Sequence, residues 1–126
     1  MPGAYTHITL SRLLTEGKAL KNLKLPKEAR RSLLEFPELC TMGSISPDYP
    51  YLSLLIDSKA AEHWANSMHH KYGTLTVGNI FHTGINYIKK LSGDKQLKCH
   101  AWFLGYASHV TADVTCHPVT NLLVLK

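Results

Sequence analysis

The sequence predicts an all-α domain, an antiparallel array of helices joined by short connections. Three observations carry that expectation. Apolar residues recur at helical spacing along most of the chain. Proline and glycine fall between those stretches as punctuation. Strand patterning is confined to the terminal run Leu122–Leu125, which is too short to build a sheet.

The elements follow in order. Leu10, Leu13, Leu14 and Leu20 predict a first helix over residues 9 to about 23, with Thr9 or Ser11 as its cap. Pro26 ends it and opens a shorter second helix that holds Leu33, Leu34 and Phe36. Gly43, Pro47 and Pro50 mark residues 40–57 as a loop. Asp57 and Ser58 cap a third helix that runs to about Tyr72 and closes at Gly73. A fourth spans about Thr74 to Leu91, with Val77, Ile80, Phe81, Ile85 and Ile88 on one side. Ser92, Gly93 and Asp94 form the turn into a fifth helix, from about Asp94 to His117, stopped by Pro118.

A length of 126 residues corresponds to one domain with an ordinary core. With 44% hydrophobic and 18% charged residues, disorder is excluded for the bulk of the chain. The longest apolar runs fall well short of the roughly 20 residues of a membrane-spanning helix. The start, MPGAYTH, lacks the basic and apolar regions of a secretory signal, so a cytoplasmic protein is expected. Cys40, Cys99 and Cys116 fit no paired or zinc-finger spacing and read as reduced thiols.

The net charge of +5 has one address. Lys18, Lys21, Lys24, Lys27, Arg30 and Arg31, offset by Glu28, carry all of it, and the rest of the chain is neutral. Such a strip either attracts phosphate-bearing surfaces or is a solvated helical corner. It has no interleaved aromatics of the kind that bind single-stranded nucleic acid, so nucleic acid is not expected as a partner except as a substrate.

Eight histidines stand against nine acidic residues, and their spacing is the informative part. His109, Asp113 and His117 form an HxxxDxxxH row on the fifth helix, each step rising about 6 Å along one face. Imidazole and carboxylate are good zinc ligands, so the row suits one or more metals. It is equally readable as hydrogen-bonded core polar groups with His117 as a cap. Gly105, Ala107, Ser108 and Ala112 would let another element approach closely. His63 and His70 share a face of the third helix, while at least one of the adjacent His69 and His70 must point away. Asp48 sits between Pro47 and Pro50, a stiff setting for a ligand or base, or simply a turn. His7 is either a ligand or an exposed terminal residue. Tyr49, Tyr51, Trp64 and Trp102 are candidates for a pocket or for the core. Ser44, Ser46 and Ser108 lack a nucleophile setting, and Cys116 reads as packing.

Taken together, MPGAYTH, GSISPDYPY, HWANSMHH and GYASHVTADVTCHP resemble, in order, the zinc-dependent phospholipase C family, whose superfamily includes the P1-type nucleases. The resemblance covers almost the whole chain. It implies the N-terminal part of that all-α fold, a single domain over 1–126 lacking C-terminal helices, and up to three zinc ions. One zinc would use Asp48, His63, His109 and Asp113. A neighbour would use His7, the amino terminus and the shared Asp113. A third would use His117 with a His and a Glu on a following helix, which the nine residues after His117 do not contain. The implied activity is hydrolysis of a phosphate ester, such as a phospholipid headgroup bond, by metal-activated water, with Asp48 orienting that water or acting as base. A metal-binding but catalytically incomplete domain and a helical interaction module are the alternative expectations.

Overall fold

The computed structural model describes residues 3–52, 58–69 and 74–124. Seven α-helices occupy most of them: α1 (Ala4–Thr15), α2 (Gly17–Asn22), α3 (Lys27–Glu35), α4 (Pro37–Ile45), α5 (Lys59–Met68), α6 (Thr74–Lys89) and α7 (Gly93–Val124). A 3-10 segment, Ser46–Leu52, follows α4 directly. No strand occurs among the described residues, and no helix there is long and apolar enough to cross a membrane.

The expected first helix is split in two and starts earlier. Extended backbone at Glu16 separates α1 from α2, and Gly3 caps α1. Thr9 and Ser11 lie inside α1, where their hydroxyls donate back to the carbonyls of Tyr5 and Ile8. The expected loop over 40–57 is helical as far as it is described. Pro37 takes the first turn of α4, where a missing N–H costs nothing, and Phe36 breaks the chain between α3 and α4. Gly43 does not end α4. A β-carbon there would collide with the Trp102 carbonyl, so the glycine serves the close approach of α7.

Ser58 caps α5 as expected, accepting from the Ala61 amide, whereas the proposed closure at Tyr72–Gly73 lies outside the described residues. Gly93, at φ +59°, makes the turn into α7. Pro118 does not stop α7, which continues to Val124. Val114, whose carbonyl loses its amide partner to that proline, and Pro118 itself are both exposed, so water can serve the freed group.

Among the described residues, two clusters form the core. Leu20, Leu33 and Cys40 join α2, α3 and α4, and Met68, Ile88, Phe103 and Tyr106 join α5, α6 and α7. The α4–α7 pairing is the most extensive contact between elements. Gly105 lies against the Cys40 carbonyl so closely that any side chain would clash, as the run of small residues predicted. This pairing fixes the end of α4 against the middle of α7, and the candidate site is built there.

Candidate metal centre

Five polar side chains from four elements converge beside the α4–α7 contact. α7 supplies His109 and Asp113, one turn apart. α1 supplies His7, whose ring stacks on His109 at 3.9 Å between centroids. The 3-10 segment supplies Asp48, and His69, the residue that ends α5, completes the set. His7 and His109 are almost wholly buried.

Backbone carbonyls fix the imidazole tautomers. His109 Nδ1–H donates to the Ser44 carbonyl at the end of α4 (2.7 Å), and His69 Nδ1–H donates to the Ala65 carbonyl (2.8 Å). Each neutral ring therefore turns the lone pair of Nε2 inward. The two Nε2 atoms face each other at 2.9 Å, and His69 Nε2 lies 3.1 Å from Asp48 Oδ1. Asp113 Oδ2 lies 3.5 Å from His109 Nε2 and 3.7 Å from His69 Nε2, and Asp48 Oδ1 lies 3.8 Å from His109 Nε2. Lone pairs and carboxylates at such distances repel unless a cation, proton or metal, lies among them.

The spacing fits a metal. Ligand atoms around a tetrahedral zinc, at about 2.0–2.2 Å each, stand roughly 3.3–3.6 Å apart. The five distances among His69, His109, Asp48 and Asp113 run from 2.9 to 3.8 Å. A second position adjoins it. Asp113 turns its other oxygen, Oδ1, to His7 Nε2 at 3.4 Å, so one carboxylate faces both positions. His7 Nδ1 is buried with no hydrogen-bond partner among the described residues.

The electrostatics agree. Burial opposes ionisation of Asp113, but the His109 and His7 side chains hold its carboxyl well below the usual carboxylate range. Burial likewise opposes ionisation of Asp48, yet His69 and the neighbouring imidazoles hold it low. Burial disfavours protonated His69, and the Asp48 and Ala65 oxygens more than reverse this, raising its pKa. The site is thus an anionic pocket that draws in a cation.

Of the residues expected from sequence, His7, Asp48, His109 and Asp113 are brought together. His63 is not among them. It stands exposed on α5 and belongs to neither ligand group, and His69 occupies the place beside Asp48. The expectation of His63 came from the family resemblance, and the third helix was expected to run to about Tyr72. α5 instead ends at Met68, and extended backbone at His69 (ψ 166°) directs that residue off the helix. The turn-like Lys71-Tyr72-Gly73 after the histidine pair was the available signal. His117 lies on α7, and its side chain is outside the described residues, as is all of His70. His82 is exposed on α6 beside Asn86, and His100 is half-buried, its pKa lowered by burial.

Of the candidate aromatics, Tyr51 lies at the site. Its ring lies 5.4 Å from His69, and its hydroxyl donates to Asn66 (2.6 Å), linking the 3-10 segment to α5. Trp64 and Trp102 instead line a separate apolar cavity of about 850 Å³ between α5, α6 and α7. Burial pushes the Cys40 thiol up to about 11, which keeps it inert.

A family model described as zinc-dependent phospholipase C matches residues 6–124, a span that contains all five converging side chains. No curated protein and no solved structure matches the chain.

Proposed function

The chain belongs to the zinc-dependent phospholipase C family, and from that premise we propose that it is a zinc-dependent phosphodiester hydrolase acting on a phosphate ester such as a phospholipid headgroup bond. The observation that carries the proposal is a pair of ligand groups sharing His109, Asp48 with His69 and His109 and Asp113 with His7 and His109, with Asp113 Oδ2 also 3.7 Å from His69 Nε2. His69, His109, Asp48 and Asp113 would hold one zinc, and His7 with Asp113 a neighbour. Zinc, when bound, supplies Lewis acidity, bringing a water toward a pKa of about 7 and offsetting charge on the phosphate.

The chain's own residues supply the rest. The Ser44 and Ala65 carbonyls hold the two rings in the ligating tautomer, so little reorganisation is needed during reaction. Asp113 stays ionised and fixes the relative place of the two positions. Asp48 is the most solvent-accessible of the four, at 19% against 13% for Asp113, 9% for His69 and 0% for His109. We assign it the additional role of orienting the attacking water and accepting its proton.

The test is direct. Purified protein should contain zinc and hydrolyse a chromogenic phosphodiester, and Asp113→Asn should lose both. A zinc-loaded protein inert toward soluble diesters and phospholipid micelles alike would leave a metal-binding domain without catalysis. Protein that holds no zinc and melts identically with chelator would leave only a helical interaction module.

A further inference from the structure

The basic strip is a structured surface. On α2, Lys18 and Lys21 are exposed, while Leu20 on its other side is buried in the core. Lys24 is exposed in the connection to α3. On α3, Lys27, Arg31 and Leu34 share the outer face at i, i+4 and i+7, opposite the buried Ala29, Ser32 and Leu33. The corner is held in shape by Arg30, whose guanidinium donates to the Leu23 carbonyl at 3.0 Å. Arg31 is neutralised by Glu35, but Lys18, Lys21, Lys24 and Lys27 make no ion pair among the described residues. Amid these lysines, Leu23 and Leu34 stand 37% and 57% exposed.

We propose that the α2–α3 corner docks the chain on an anionic lipid bilayer, with the four lysines among the headgroups and Leu23 and Leu34 entering the interface. Charge complementarity selects the partner, because the six basic residues of 17–35 against Glu28 and Glu35 leave +4 of the chain's net +5 on this corner. The exposed leucines select lipid over nucleic acid. Phosphate-backbone binding has no use for them, and residues 17–35 contain no aromatic ring on which a base could stack. The surface lies outside the metal centre, and the inference does not depend on hydrolysis.

The experiment is sedimentation of the chelator-treated chain with phosphatidylcholine vesicles, with and without phosphatidylserine, so that no turnover alters the lipid. Binding is expected on the anionic vesicles, falling steeply as salt is raised. Each lysine contributes roughly fivefold, so K18E/K21E/K24E/K27E should bind at least about 100-fold more weakly. Leu23→Ser should weaken binding roughly threefold without changing the salt dependence. Equal binding to both vesicle types, unchanged binding by the quadruple variant, or binding to nucleic acid with none to vesicles would overturn the proposal. Should the quadruple variant fail to fold, the salt titration of the unaltered chain decides, and salt-independent binding refutes it. Hydrolysis of a soluble chromogenic diester should be unaffected by the four substitutions. Binding to anionic vesicles by a chain that hydrolyses nothing would therefore refute the hydrolase proposal alone.

Discussion

Replacing His69 by alanine separates the structure's account of the metal centre from the one the sequence suggests. His69 Nε2 is one of the four proposed ligand atoms and lies 2.9 Å from His109 Nε2 and 3.1 Å from Asp48 Oδ1. Four-ligand zinc sites bind with about 10–16 kcal/mol of apparent free energy. An even share per ligand is about 3 kcal/mol, so His69→Ala should weaken zinc binding by roughly 100-fold or more. His63 is exposed on α5 and lies in neither candidate ligand group, so His63→Ala should leave zinc affinity unchanged. Competition against a chromogenic zinc chelator measures both variants, with helical circular dichroism as the fold control. Full zinc affinity in His69→Ala, with loss in His63→Ala, would refute the reasoning.

Three further outcomes follow from the same geometry. Asp113→Asn removes the carboxylate that faces His7 and His109, and should abolish zinc retention and diester hydrolysis while helix content measured by circular dichroism persists. Gly105→Ala drives a β-carbon into the Cys40 backbone, which cannot yield as a side chain would. The cost should be about 3 kcal/mol, seen as a fall of roughly 10 °C in Tm by calorimetry, with weaker zinc binding because the Ser44–His109 bond crosses the same interface. In the metal-free chain the raised pKa of His69 contributes stability that is complete below about pH 6.5 and fades as pH rises through that raised value. Zinc needs the neutral ring, so the gap in Tm between zinc-loaded and chelated protein should widen from pH 6 to pH 8. A constant gap would show that His69 does not ligate.

The fold class and most of the site can be read from residue order, because the relevant spacings are local. His109 and Asp113 are one turn apart on a helix whose small residues foretell a close neighbour, and Gly105 meets that neighbour at Cys40. His69 is hidden because its position depends on where α5 ends, and of two adjacent histidines the residue order does not say which one leaves the helix. Gly43 looks like a breaker and is a packing residue, since its lack of a β-carbon is used against Trp102 and not for a turn. Pro118 looks like a stop and lies within α7, since the carbonyl it frees is on an exposed face. In each case tertiary context decides between two local meanings of the same residue.

Anomalous diffraction at the zinc edge from zinc-loaded crystals tests the central claim most directly. A peak is expected about 2.0–2.2 Å from His69 Nε2, His109 Nε2 and oxygens of Asp48 and Asp113. A zinc peak ligated by His63 in place of His69, or none among these four side chains, would contradict it.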